Sequence, residues 1–420
     1  MILLLSTLLM ATPEATPVQF KYHIRMLPLL RINPDFDSQT DDSTWQTMQN
    51  IRLMATGTWP GLVLYASFQD ARSWGLENSP VVSSDGITGL HEGYAQIGSR
   101  DNQSFWVRTG RQEYTMHRGM MMWNRPWNLY GIAFNGVRAH YEQQRFSADA
   151  GVFVLQGAGS YTTTCDDSVQ DCSNFSAETV SSIGDFLFLA EADIDLHPKL
   201  RLQPYFLGIR QGASESDPNT DRIVFSPSLR MEGAFTSGFK YIFDGAYQVG
   251  KNGESDHSAW RAQASLLYNI GTYKTSLFFE ERSGDGDRSD AVDNDFEPFF
   301  GAGHRFRGFG DYIGLKNVRN IGASAQKIFS PTLSLKLDYH FFQLSNPTGS
   351  WFATSGQSRG VGTGENANLG HEVDIVLGWK PVKNCSIQFT HAHFIPFGEG
   401  ATIEGSDTSS ATYAWMRIER

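Results

Sequence analysis

The connections between β-like segments constrain this chain most, because they alternate between short and long. About eighteen such segments occupy the chain between Gln19 and Arg420. The short connections are 59–61, 142–144, 197–199, 236–237, 271–272, 330–332 and 381–384. The long connections are 33–43, 72–90, 115–128, 157–184, 211–221, 283–310, 345–370 and 398–411.

Successive connections of an up-and-down meander lie at opposite ends of the sheet, so one end is tight and the other carries large loops. Short turns at one end and long loops at the other are typical of outer-membrane β-barrels. The alternation therefore predicts an all-β fold, a transmembrane antiparallel up-and-down β-barrel of about 18 strands. An even strand number places both termini at the short-turn end, which we expect to be periplasmic.

Composition favours one large sheet over separate domains. The 420 residues contain no linker that would divide them, and we predict a single outer-membrane barrel domain over residues 19–420. The mean hydropathy is −0.33, and beyond residue 11 no apolar run approaches the ~20 residues of a spanning helix. Aromatic residues at 13% and 41 glycines suit strands with aromatic girdles and tight turns.

The net charge of −11 limits the partners that the chain can have. It argues against nucleic-acid binding, which requires a basic stripe. The acidic stretch 283–295 (SGDGDRSDAVDND) is either a solvated loop or a site for divalent cations shared with lipopolysaccharide, and we favour the solvated loop. We expect a monomer that contacts outer-membrane lipid and lipopolysaccharide and that needs no cofactor.

Two further segments indicate an exported protein. Residues 1–15 are predicted to form a signal segment, although no Lys or Arg precedes the apolar stretch 1–11 (MILLLSTLLMA) and the cleavage pattern is poor. Cys165 and Cys172 lie in one long polar loop, and we predict a disulfide between them, as suits an oxidising compartment. A metal pair is disfavoured there by the spacing, and Cys385 is expected to be a small strand hydrophobe.

Polar and apolar residues alternate along the segments, so each strand has one apolar face and one charged face. Leu335 and Leu337 share one face of a strand, for example, and Lys336 and Asp338 share the other. In a barrel the apolar face meets lipid and the polar face lines the lumen. The candidate pore-lining residues are Arg108, Arg138, Arg210, Arg230, Lys240, Arg261, Lys274, Arg282, Lys336, Glu191, Glu232, Asp338 and Asp374.

These inward charges have two interpretations, which the sequence leaves open because it does not give the height of each residue in the tube. They are cross-strand ion pairs that brace the wall, or they form a mixed-charge constriction that filters solutes. Under the second interpretation Arg108, Arg138, Arg230 and Arg261 form part of the selectivity surface, since Arg binds carboxylate and phosphate bidentately.

Several motifs occur in an order that resembles the alginate-export family of Gram-negative outer-membrane β-barrel proteins. The likeness covers nearly the whole chain and is strongest over 104–141 and 247–345. The matching stretches are 110–113 (GRQE), 134–138 (FNGVR), 247–252 (YQVGKN), 256–268 (DHSAWRAQASLLY), 279–287 (FEERSGDGD), 296–300 (FEPFF), His304 and 311–321 (DYIGLKNVRNI).

The resemblance implies an eighteen-stranded barrel in the outer membrane and transport of an anionic polysaccharide or a related solute through an Arg-rich lumen. The chain departs from the family in two respects. Its candidate lumen charges are nearly balanced, and its last residues are Ile418, Glu419 and Arg420 rather than an aromatic residue. We therefore expect an outer-membrane channel, or porin, for passive passage of a polar solute, either anionic or sugar-like.

Two rival functions remain. A barrel lipid hydrolase places a Ser/His pair on its lipid-facing wall, and His391 and His393 alternate to that face, but the sequence identifies no serine partner. The inward His140 and His340 are interpreted as lumen polar groups rather than metal ligands, and we expect no enzymatic activity. A surface or structural barrel with a plugged lumen would fold a loop inward, and 285–309 is the candidate loop.

Overall fold

The computed structural model describes residues 18–40, 42–75, 86–98, 104–157, 159–162, 179–182, 184–212, 221–236, 238–304 and 306–420. The signal segment predicted at residues 1–15 and the predicted disulfide of Cys165 and Cys172 lie outside these residues. Cys385, within the described part, is a free thiol at a half-buried strand position.

Eighteen antiparallel strands form the wall, each paired with the next, and the last strand pairs with the first to close the barrel. The predicted fold class is therefore confirmed. The strands are β1 (Gln19–Ile32), β2 (Thr44–Trp59), β3 (Leu62–Trp74), β4 (Gly86–Ile97), β5 (Phe105–Gln112), β6 (Phe134–Gln143), β7 (Phe146–Gln156), β8 (Asp185–His197), β9 (Leu200–Gln211), β10 (Arg222–Thr236), β11 (Phe239–Asn252), β12 (Ser255–Ile270), β13 (Tyr273–Arg282), β14 (Val318–Ser330), β15 (Leu333–Gln343), β16 (Asn368–Trp379), β17 (Cys385–Pro396) and β18 (Ser409–Glu419).

Shorter elements lie in the long loops. Gly159–Thr162 pairs with Thr179–Ser182, Ser350–Phe352 pairs with Ser358–Val361, and Val292–Asp293 pairs in parallel with β12. The helix α1 (Glu399–Glu404) lies between β17 and β18. Within the described ranges, no helix has the length and apolar character needed to cross a membrane.

The strand alternation sorts side chains between lipid and lumen. Large apolar residues such as Phe243, Trp260 and Leu277 are exposed on the outer face, whereas neighbours such as Asp244 and Arg261 are buried inside. Closure leaves no unpaired edge, so the backbone polar groups of the wall are satisfied in a hydrocarbon environment.

The two ends of the barrel differ as the connection lengths predicted, with one exception. The start of β1 and the end of β18 lie at the short-turn end, where the backbones of Tyr22 and Arg420 exchange two hydrogen bonds of 3.1 Å. The exception is at the long-loop end, where β11 and β12 join through only Gly253 and Glu254. Gly253 has a φ of 60°, the left-handed conformation that a two-residue hairpin turn requires.

Two loops fold into the lumen, and we call residues 113–133 the first inner segment and residues 283–317 the second inner segment. The guanidinium of Arg25 donates hydrogen bonds to the carbonyls of Asn128 and Leu129, at 2.7 and 3.0 Å, and also to that of Pro126. The two segments also bond to each other, from Trp123 N to Phe300 O at 3.0 Å and from Ala302 N to Gly119 O at 2.8 Å. The loop 285–309, named as the candidate in the plugged-barrel alternative, thus contacts the first inner segment inside the barrel.

The first inner segment makes part of the inner wall apolar. Met121 and Met122 pack against the inward Leu187, Leu207 and Ile209, all buried. Burial of this surface favours the in-folded position by about 25 cal/mol for each Å² of apolar area removed from water.

This apolar inner face explains why one candidate pore residue was assigned to the wrong side. On β9 the inward positions are the odd ones, including Tyr205 and Leu207, so Arg210 shares the outward face with Phe206. Its Nη1 donates to the carbonyl of Gly184 at 2.9 Å, at the long-loop end. The prediction that Arg210 lines the lumen is therefore wrong, because it assumed that the apolar face of every strand meets lipid.

Candidate functional site in the barrel lumen

A ladder of buried charges crosses the inner wall from β10 to β13. Arg230 Nη1 lies 3.6 Å from Asp244 Oδ2, and Arg261 Nη2 lies 3.1 Å from the same oxygen. Arg261 Nε then lies 3.7 Å from Glu280 Oε1. All four residues are at most 4% exposed. Opposite charges on adjacent strands at the same height stabilise the strand pairing, so this ladder braces the wall.

Glu280 connects the ladder to both inner segments. Its two carboxylate oxygens accept from Arg307 Nη1 of the second inner segment at 3.0 Å each, and Oε1 accepts from Arg282 Nε at 2.8 Å. The other nitrogens of Arg282 donate to the carbonyls of Met120 and Leu315, at 3.3 and 3.4 Å. One carboxylate therefore organises three guanidinium groups that hold both inner segments against the wall.

Arg108 and Arg138 point inward but are also occupied. Arg138 Nε lies 3.2 Å from Asp149 Oδ1, and its guanidinium carbon lies 4.8 Å from the centre of the Trp106 ring. Arg108 Nη2 donates to Gln96 Oε1 at 2.8 Å. Their arrangement matches the bracing interpretation.

The predicted acidic residues of β8 and β10 bind neighbouring groups. Glu191 accepts a hydrogen bond from the Tyr114 hydroxyl, and His117 Nε2 lies 3.5 Å from its Oε2, so it holds the first inner segment. Glu232 Oε2 accepts from Arg230 Nη2 at 2.9 Å.

The remaining predicted residues divide into paired and unpaired groups. Lys336 Nζ forms an ion pair with Asp338, and Asp374 lies opposite Asp338 on the adjacent strand. Lys240 and Lys274 occupy inward positions, are exposed to the lumen, and have no recorded side-chain partner among the described residues. Among the candidate pore-lining residues, these two lysines are therefore the most available to interact with a solute in the lumen.

Arg118 is a lumen cation that the sequence interpretation missed. It lies in the first inner segment, is exposed, and makes no recorded hydrogen bond or ion pair within the described residues. It borders two recesses of the lumen, with volumes of about 570 and 350 Å³. The sequence did contain an indication of this position. Arg118 lies in a methionine-rich stretch, 116–122 (MHRGMMM), and a loop this apolar is expected to pack against another surface of the protein.

Three recesses line the lumen toward the short-turn end, and their charges are unequal. A third recess of about 470 Å³ lies against β14 to β18. The carboxylates around the three are Asp195, Glu232, Glu280 and Asp338. The cations around them are Arg118, Arg145, Arg201, Arg230, Lys240, Lys336, Lys380 and Arg417. Arg201, Arg230, Lys336 and Arg417 form ion pairs with carboxylates, whereas Arg118, Arg145, Lys240 and Lys380 form none within the described residues. The uncompensated charges around these recesses are therefore positive.

The first inner segment contains two buried titratable groups, His117 and Glu113, whose pKa values are lowered by folding. Burial lowers the pKa of His117 from 6.5 to about 4, against the opposing attraction of Asp244, so the imidazole is neutral at pH 7. Burial alone would raise the pKa of Glu113, but hydrogen bonds from His91 and Arg52 and a further bond from Asn124 bring it down to about 2. Both groups bind protons more readily in the unfolded chain than in the folded one.

Acid should therefore destabilise the barrel in two steps. His117 contributes stability that is full above about pH 6.5 and is lost as the pH falls toward 4, and Glu113 contributes stability lost between about pH 4.5 and 2. We expect the urea midpoint of the detergent-solubilised barrel to fall between pH 6.5 and 4, and to fall less in His117→Phe. Equal losses in the two proteins would contradict the assignment to His117.

On the outer wall, His393 lies opposite Ser410 in the strand register, but their side chains form no hydrogen bond among the described residues. His391 Nδ1 lies 2.8 Å from Thr412 Oγ1, so its recorded partner is a threonine rather than a serine. In the described part of the chain, no carboxylate forms a recorded hydrogen bond with His391 or His393. A hydrolytic triad needs a third group that orients the histidine.

The fold and lumen define a class of protein, an outer-membrane β-barrel channel narrowed by inner segments. The profile of the alginate-export family matches residues 18–417, and the chain belongs to that family. No curated protein matches the chain significantly.

Several solved structures share the fold. The chain is 12% identical to Pseudomonas aeruginosa OprD, with a TM-score of 0.61 and 97% of each chain covered. For Acinetobacter baumannii OccAB2 the identity is 10% and the TM-score 0.63, covering 96% of this chain and 98% of that one. For Pseudomonas aeruginosa OccK1 (OpdK) the values are 13% and 0.62, with the same coverage.

Proposed function

We propose that the channel passes small polar anions or acidic sugars by passive diffusion. The observation that carries this proposal is that the uncompensated charges around the three recesses are cations, with Arg118 and Lys240 unpaired in the described structure. Unpaired cations in a narrow polar lumen raise the local concentration of anions and lower that of cations. The predicted residues Arg230 and Arg261 contribute less to selectivity here, because carboxylates already neutralise them.

The proposal includes an orientation. The short-turn end, with both termini, faces the periplasm, and the long loops face the outside, as in barrels of this kind. In this orientation the inner segments narrow the outer half of the lumen, and the cationic recesses form the periplasmic half. A monomer is sufficient, because the sheet closes within one chain.

Removing the unpaired cations should weaken anion selectivity. We expect Arg118→Gln/Lys240→Gln to lower the anion-over-cation permeability ratio several-fold, because two positive charges leave the solute path. Reversal potentials across planar bilayers in a salt gradient measure this ratio. The matched control is Lys251→Gln/Lys327→Gln, which removes the same charge from the outer face and should leave the ratio unchanged.

Two results would count against the proposal. An unchanged ratio in a correctly folded Arg118→Gln/Lys240→Gln variant would show that these cations do not face the solute. A wild-type barrel that does not conduct would favour the structural alternative, in which the inner segments plug the lumen.

A further inference from the structure

Four polar side chains form a compact group on the inner faces of β15 and β16. Asp338 lies opposite Asp374, and His340 lies opposite Glu372, in the register of these two strands. Their exposed fractions are between 0 and 3%. Burial of so many polar groups is unfavourable unless each is hydrogen-bonded or neutralised.

Four of their eight side-chain polar atoms have hydrogen-bond partners, one in each residue. Lys336 Nζ forms an ion pair with Asp338 Oδ2, and the backbone N–H of Phe309 donates a hydrogen bond to Asp374 Oδ1 at 3.4 Å. The N–H of Gly310 donates to Glu372 Oε1 at 2.8 Å.

Three buried atoms that face each other have no hydrogen-bond partner. They are Asp338 Oδ1, His340 Nε2 and Asp374 Oδ2. His340 Nε2 lies 3.7 Å from Asp374 Oδ2, and each of the three residues has a potential ligand atom within 4.8 Å of one on each of the other two. Lys336 and Arg307 are the nearby cations that act on His340, but neither donates to these three atoms, because they bind Asp338 Oδ2 and Glu280. Glu372 Oε2, beside them, is also unpartnered.

The hydrogen-bond network fixes the tautomer of His340. Asn320 Nδ2 donates to the carbonyl of Phe306 at 3.1 Å, so its Oδ1 is the acceptor that faces His340 Nδ1 at 3.2 Å. His340 Nδ1 therefore carries the proton, and Nε2 presents a lone pair. A metal-binding histidine is oriented in this way, with its other ring N–H bonded to an oxygen.

Three lone-pair atoms converging in a buried site repel one another unless a positive charge lies between them. A proton shared between the neighbouring carboxyl groups of Glu372 and Asp374 would satisfy only one of the three. A divalent metal ion would satisfy all three. The recess of about 350 Å³ borders Asp338 and His340 and gives an ion access from the lumen.

We propose that Asp338, His340 and Asp374 bind a divalent transition-metal ion, with Zn²⁺ preferred. One imidazole and two carboxylates form a nitrogen and oxygen ligand set that Zn²⁺ accepts, whereas Mg²⁺ and Ca²⁺ prefer oxygen alone. Because Asp374 also holds the backbone of Phe309, the ion connects the wall to the second inner segment. The metal site replaces the sequence interpretation of His340 as a plain lumen group.

Zinc binding to the full-length barrel tests this proposal. The protein is freed of metal with a chelator, folded in detergent micelles and titrated with zinc chloride at pH 7.5, with calorimetry and elemental analysis as readouts. We expect one tightly bound Zn²⁺ per barrel, lost in His340→Phe, and bound about 10–100-fold more weakly in Asn320→Ala, which removes the orienting acceptor. The control His140→Phe removes a different inward histidine and should keep the site.

Cobalt provides a second measurement that does not depend on how well the variants fold. Co²⁺ bound by the wild-type barrel should give visible absorption bands that Zn²⁺ abolishes. Equal Zn²⁺ binding by the wild type and a folded His340→Phe variant, or no stoichiometric ion in the wild type, would overturn the proposal. Binding is measured without conductance, so this outcome is independent of the proposed transport function.

Discussion

Replacing Glu280 by Gln should lower the free energy of unfolding by about 3–5 kcal/mol, the usual effect of removing one partner from a buried ion pair. Glu280 is 3% exposed and lies 2.8 Å from Arg282 Nε, 3.0 Å from Arg307 Nη1 and 3.7 Å from Arg261 Nε. The variant leaves these three buried guanidinium groups without their shared carboxylate. Urea titration of the barrel in detergent micelles, followed by tryptophan fluorescence, measures the loss.

Two comparisons show whether the loss comes from the buried charges. Glu365→Gln makes the same chemical change at an exposed loop position and should leave stability unchanged. Adding Arg307→Met to Glu280→Gln removes one uncompensated cation and should recover part of the lost stability. A Glu280→Gln barrel as stable as the wild type would show that the ladder does not brace the wall.

Removing most of the first inner segment should raise the single-channel conductance several-fold. We would replace residues 117–131 with Gly-Gly-Ser-Gly, which keeps Met116 and Ile132 as the ends of the connection. The segment packs against the inward face of β7 to β12, so its removal opens the lumen where the wall is apolar. Conductance in planar bilayers measures the change.

The same linker inserted at an exposed site serves as the control. After Gly356, at the tip of the Ser350–Val361 hairpin, a side chain would meet open space, so the insertion should not alter conductance. An unchanged conductance in the folded deletion variant would contradict the prediction and would place the narrowest point elsewhere in the lumen.

The strands of the wall were predictable because the sequence pattern that defines a strand lies within the strand itself. Alternation with a period of two assigns each side chain to a face, and connection length assigns each turn to an end. Arg138, Arg261 and Asp374 were assigned to the inner face from this pattern alone, and the structure places them there. Arg210 was misassigned because the apolar face of β9 points inward, toward methionines that are about 90 residues away in sequence.

The partners of the inward charges were not predictable. Which cation meets Glu280, and whether Arg118 lies free in the lumen, depends on the course of two long loops with no periodic pattern. Asp338 and Asp374 show no metal-binding spacing, because a different strand supplies each residue and the strand register brings them together.

The sequence by itself determined the barrel, its strand number, its two unequal ends and its family, because these follow from local periodicity and ordered motifs. Tertiary structure decided which lumen charges are neutralised, which remain free and where three unpaired ligand atoms converge. Those outcomes depend on strand register and on contacts of the wall with the inner segments, such as Arg282 to Met120 and Gly310 to Glu372, which are 162 and 62 positions apart. The energies of these contacts exist only once the inner segments have folded into the closed barrel.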